Sequence, residues 1–211
     1  MLQVQNAAYD VLLSAHVQNV ITLDDVLQIC QMNGWQVYSY KQARQLIDAM
    51  GASEMTRNKS FVWRYQGHTI ILYCDELSLR DKILCLCHEI GHIKLGHLPG
   101  RPYTTIGDVQ ELEANIFAYE LICPTLALRR CGPWRSEELR SVLPVPHEGA
   151  AYYIAEMRKQ LPVYNIAHDQ VLDQYSDMVA HIRQMRRKRS YRTTYAAASA
   201  FAALLLLTIL I

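Results

Sequence analysis

The chain has 211 residues, enough for one globular domain of ordinary size with some length to spare. An apolar share of 51% against 19% charged residues excludes a disordered chain, which lacks the apolar surface to offset ordering entropy. The formal net charge of +1 hides an asymmetry: Arg183, Arg186, Arg187, Lys188, Arg189 and Arg192 supply six of the 21 basic residues, no acidic residue follows Asp177, and the remaining body is acidic.

In chain order, Val4, Ala7, Ala8, Val11, Leu12 and Ala15 share one face of a helix predicted over residues 3–18. Thr22 followed by Asp25 is a capping box opening a second helix that stops near Asn33 and Gly34. Residues 35–40 alternate as a short strand, and residues 41–50 form a brief helix ending at Gly51. Residues 60–65 and 68–73, joined by Gln66 and Gly67, read as a β-hairpin. Its second strand is apolar on both faces, as a central strand is.

Ser78 is the expected N-cap of the next helix, with Asp81 at its third position and a break at or after Gly96. Another helix starts at Asp108 and ends before Pro124. Residues 129–146, with Gly132 and three prolines, read as loop with one short helix over 136–142. Helices follow over 147–160 and from about 166 to 189. The N-terminus has neither a basic region nor a continuous apolar run, so no secretory signal is expected. The six cysteines therefore read as reduced thiols, several of them inside apolar helical stretches.

The helix after Ser78 carries His88, Glu89, Ile90, Gly91 and His92. Residues four apart lie on one helix face, so His88 and His92 can offer two imidazole nitrogens to one Zn²⁺. Glu89 lies on the same turn, placed to take a proton from the attacking water and deliver it to the leaving amine. Gly91 permits close approach of another segment or of substrate. Two histidines and a glutamate among Ile83, Leu84, Leu86, Ile90, Ile93 and Leu95 are poor plain core residues. A third ligand is required. His97 lies five residues after His92, where the metzincin pattern needs six, and is set aside. The better candidate is Glu111, with Asn115 one turn on to orient a ligand histidine; Glu113 is the alternative, and Glu111 could instead complete a capping box with Asp108. Cys85 and Cys87 diverge on the helix and read as packing residues. Tyr103, Tyr119, His147 and Tyr152 are all open as oxyanion stabilisers.

The run from Cys87 to His97, followed by Glu111-Leu112-Glu113-Ala114-Asn115-Ile116-Phe117-Ala118 and closed by Leu121-Ile122-Cys123-Pro124, resembles the ImmA/IrrE family of metallopeptidases. The likeness spans about residues 20–160, with Cys123 where the family usually has Met. It implies a gluzincin-like α+β fold, mainly helical with a small sheet beside the motif helix. It also implies metal ligands His88, His92 and an acidic residue of the second helix, with Glu89 as the base. The implied substrate class is helix-turn-helix transcriptional repressors. The alternative is a catalytically silent metal-binding sensor or interaction module.

The last 16 residues hold only Ser199 and Thr208 as polar groups and follow Tyr191, Tyr195 and the arginine cluster. A helix there would span about 24 Å, somewhat short of the ~30 Å hydrocarbon core. The expected organisation is a metallopeptidase domain over 1–160, a basic helical segment over 161–190 and an apolar membrane anchor over 191–211. That arrangement holds the catalytic body at the cytoplasmic face, with lipid headgroups rather than nucleic acid as the partner of the basic run.

Overall fold

The computed structural model describes residues 2–98, 107–159 and 166–188. Helix α1 (Leu2–Ser14) buries Val4, Ala8, Val11 and Leu12, and it ends earlier than the apolar periodicity suggests, with His16 in a left-handed conformation. Helix α2 (Leu23–Met32) opens on the expected capping box, Thr22 and Asp25 each bonding the other's backbone N–H. Strand β1 (Gln36–Ser39), helix α3 (Arg44–Ala49) and a 3-10 turn over Ser53–Arg57 lead into the hairpin of β2 (Ser60–Tyr65) and β3 (His68–Tyr73). Gln66 and Gly67 both have positive φ, the type I′ geometry that matches strand twist.

The sheet order is β1-β3-β2, with β1 parallel and β2 antiparallel to β3. The doubly apolar β3 is therefore the central strand, and the sheet is filled on both faces. Phe61, Ile70 and Leu72 pack with Ala43, Ile47 and Ala52 in a small core on the α3 side. Val62 and Ile71 join the main core on the other. Period-two alternation puts Ser60 on the same face as Val62.

Against that face lies α4 (Leu79–Lys94), capped by Ser78 as expected. It packs along α5 (Asp108–Ile122), which is buried nearly all round from Ala114 to Ile122 and forms the axis of the domain. Three more helices complete the near side: α6 (Thr125–Arg130) and α7 (Ser136–Val142), then, after the Pro144–Pro146 turn and with Gly149 in its first turn, α8 (His147–Arg158). Helix α6 was not expected from the sequence; Pro124, read as a stop, supplies its N-cap and the buried Glu120 carboxylate accepts from Thr125 N–H at 2.9 Å. Helix α9 (Ile166–Gln174) turns at Tyr175 and is followed by a helical stretch over 176–188.

The basic run is partly committed inside the fold. Arg183 donates to the Arg130 carbonyl at 2.6 Å, and Arg186 bonds the Cys131 and Pro133 carbonyls while its guanidinium stacks 4.5 Å from the Trp134 ring centroid. Both cap the C-terminal end of α6, where unpaired carbonyls favour cations. The observed architecture is α+β as expected. The apolar segment 191–211 lies outside the described residues, and among those described no helix is long and apolar enough to cross a membrane. All six cysteines are free.

Candidate metal centre

The site forms where α4 and α5 come closest. At the crossing, a Cβ on Gly91 would lie 3.1 Å from Phe117 Cδ1 and 3.2 Å from both Cα and O of Ala114. Glycine there lets α5 lie near enough for its first turns to reach the histidines of α4. His88 and His92 point the same way, their Nε2 atoms 2.9 Å apart. Glu111 meets both, Oε2 at 3.3 Å from His88 and Oε1 at 3.5 Å from His92. These three residues form a group that could hold a metal ion.

The surrounding hydrogen bonds fix what those atoms carry. Nδ1 of His88 faces Oδ1 of Asn115 at 3.0 Å, so Nδ1 is the donor and the neutral ring leaves a lone pair on Nε2. His97 Nε2 faces a carboxylate oxygen of Glu113 at 3.1 Å and must donate to it. The neutral His97 ring then keeps only a lone pair on Nδ1, which faces His92 Nδ1 at 3.2 Å. His92 therefore donates through Nδ1 and also turns a lone pair inward. Two imidazole lone pairs and a carboxylate meet with no donor among them, an arrangement that calls for a cation. Burial lowers the pKa of both rings, that of His92 to about 3, which keeps them in the neutral form that ligates.

Glu89 is 6% exposed and sits between the pair of His88 and His92 and the sheet, where it meets Ser60 of β2. The Ser60 hydroxyl donates to its Oε1 at 2.7 Å, and the Val62 N–H also donates to its carboxylate. Burial raises its pKa to about 7; the nearby Glu111 charge adds to this and the two donors oppose it. A carboxyl poised near neutrality can both take and return a proton.

Sequence reasoning placed His88, Glu89, His92 and Glu111 at one site, and the structure brings them together. Glu111 is not spent on capping: Gly107 is the N-cap and the Gln110 amide oxygen accepts its N–H. Asn115 holds His88 as expected. The sequence raised Glu113 and His97 only as possible ligands; the structure pairs them with each other behind His92, and it adds Ser60, which the sequence did not single out. Alternation along β2 could have found Ser60, whereas His97 required the geometry of a helix end. Among the candidate oxyanion groups, the Tyr152 hydroxyl is committed to Glu120 at 2.7 Å, Tyr119 is buried against Gly149, and His147 is exposed at the start of α8. Tyr103 lies outside the described residues. Cys87 is buried as a packing residue; Cys85 is half-buried and hydrogen-bonded to Ser60.

The domain is mainly helical with a small mixed sheet, and its α4–α5 pair presents two imidazoles and a carboxylate to one point, a group that could hold a metal ion. Residues 49–153 match the model of the IrrE N-terminal-like domain (Peptidase_M78), and the chain belongs to this ImmA/IrrE family. The matched span is narrower than the 20–160 stretch of the sequence resemblance and begins after α1, α2 and β1. Comparison with curated proteins and with solved structures finds no match.

Proposed function

We propose that this chain is a zinc-dependent endopeptidase in which His88, His92 and Glu111 hold the ion and Glu89 is the general base. The observation that carries the reading is the donor-free convergence of the three side chains. Their separations of 2.9, 3.3 and 3.5 Å are close to the edge of about 3.3 Å expected for a tetrahedral ion with bonds of ~2.0–2.1 Å. When bound, zinc supplies Lewis acidity to a carbonyl oxygen and to water. Glu89 takes the proton of the attacking water at its carboxylate and returns it to the leaving amine nitrogen. Ser60 and the Val62 N–H orient that carboxylate, and the packed β2 face excludes bulk water from its rear. Asn115 and the pair of Glu113 and His97 hold the two imidazoles in the ligating tautomer.

The substrate is proposed to be a regulatory protein, with a helix-turn-helix repressor as the class suggested by family membership. Replacing Glu89 with Gln keeps the metal and should abolish cleavage, which makes the variant a trap. Captured partners should be cut by the metal-loaded wild type and left whole by the variant. Full cleavage by the variant would remove Glu89 from its role. A partner bound by both and cut by neither would identify a metal-dependent binding module.

Tethering by residues 191–211 is proposed on composition alone. The test compares membrane fractionation of the full chain with a chain ending at Lys188, which keeps the Arg186 contacts. Equal solubility of the two in cells would end the anchor proposal.

A further inference from the structure

Helix α4 is followed by a turn that folds His97 back onto His92. Gly96 takes a φ of +73°, its N–H bonds Ile93 O at 3.2 Å, and His97 N–H bonds His92 O at 2.9 Å. That pair of reversed bonds is a Schellman motif, and the left-handed residue it needs is supplied by glycine. The motif explains how His97, five residues after His92 and off any helical ligand spacing, comes to lie beside it. Their rings are edge-on at 5.3 Å between centroids, and His97 is 5% exposed. Helix α5 closes the arrangement from the other side, reaching the metal-facing atoms with Glu111 and His97 with Glu113.

We propose that Glu113 and His97 are a positioning pair that fixes the ring of His92 and thereby sets much of the affinity of the site for its metal. The inference rests on the metal-site reading given under Proposed function. The chain of contacts runs in one direction. The Glu113 carboxylate accepts from His97 Nε2–H, His97 Nδ1 accepts from His92 Nδ1–H, and His92 Nε2 is left to ligate. A ligating histidine whose far nitrogen has such a partner is held in one tautomer and one rotation and is a better electron donor. His88 has the same support in a single step from Asn115. His92, the more deeply buried of the two, has it through two residues, the second carrying a negative charge that is half-exposed.

The test measures Zn²⁺ and Co²⁺ dissociation constants of the full chain by chelator competition. The variants are Glu113→Ala, Glu113→Gln, His97→Ala and the double variant Glu113→Ala/His97→Ala. Loss of a supporting partner typically weakens metal binding ~10- to 100-fold, so Glu113→Ala and His97→Ala should each fall in that range. Because Glu113 acts through His97, the double variant should bind no more weakly than His97→Ala alone. Glu113→Gln should recover most of the loss, since its amide oxygen still accepts from His97. Long-range ¹⁵N spectra of the metal-free protein should show His92 protonated at Nδ1 in the wild type and a mixture of tautomers in His97→Ala. Far-UV circular dichroism confirms that each variant is folded.

Unchanged affinities in folded variants would overturn the proposal. Additive losses, with Glu113→Gln as weak as Glu113→Ala, would also overturn it and leave Glu113 a simple electrostatic contributor. A wild-type chain that binds neither metal would instead refute the metal-site reading itself.

Discussion

The Ser60 hydroxyl, on the first residue of β2, donates to Oε1 of Glu89 on α4 at 2.7 Å. This bond ties the proposed base to the sheet, and it holds the carboxylate against a burial that favours the neutral acid. Removing the donor in Ser60→Ala should leave metal affinity within about twofold. A hydrogen bond to a charged group contributes about 1.5–3 kcal/mol, so kcat should fall roughly 10- to 100-fold. Steady-state kinetics on any peptide the wild type cleaves, with metal content determined in parallel, checks this. An unchanged kcat would show that Val62 N–H suffices to hold Glu89.

Glu89 should also shape stability in the metal-free protein. Its pKa is about 7 in the fold against 4.5 for the free side chain. Between those values the folded state holds the proton and the unfolded state has lost it, so raising the pH favours unfolding. The stabilising contribution is complete below pH 4.5 and gone above pH 7, a difference on the order of 3 kcal/mol. Glu89→Gln should remove it. Urea unfolding with chelator at pH 5 and pH 8 should show the variant gaining relative to wild type at the higher pH, and parallel profiles would contradict the assignment.

Gly91→Ala separates helix propensity from docking. Alanine favours a helix interior by about 1 kcal/mol over glycine. The added methyl would press on the Ala114 backbone at 3.2 Å, however, and backbone cannot rotate away. Overpacking of this kind costs ~1–3 kcal/mol, so the metal-free chain should lose at most about 2 kcal/mol. Metal affinity should fall at least about tenfold because α5 shifts Glu111 from the histidines. Affinity equal to wild type would show that the helix pair can separate without disturbing the site.

Away from the site, Glu120 is fully buried and accepts from five donors: Gln5 amide, the hydroxyls of Tyr9, Tyr152 and Thr125, and Thr125 N–H. It joins α1, α5, α6 and α8. Glu120→Ala strands those donors and should cost at least ~3–5 kcal/mol, while Glu120→Gln, which keeps one acceptor oxygen, should cost roughly half as much. Denaturant unfolding measures both. A loss under ~1 kcal/mol in the alanine variant would mean that water replaces the carboxylate freely.

The local features of this protein were legible from its residues. The i, i+4 pair His88 and His92, the Ser78 cap, the Thr22 capping box and the Gln66-Gly67 turn each depend on neighbours a few positions away, so spacing alone determines them. The central place of β3 followed from its two apolar faces. Helix α6 escaped because Pro124 serves equally as a stop and as an N-cap, and the choice was made by Glu120 from within the core. Glu111 and Glu113 could not be separated with the same ease. Both lie on the first turns of α5, and which one reaches the histidines depends on how α5 rests on Gly91. His97 was set aside by a spacing rule that holds along a helix, whereas the turn at Gly96 returns it to His92. Sequence determined which groups could act; the contact of α4 with α5 decided which atoms meet, because convergence at 3 Å is set by packing between segments and not by distance along the chain.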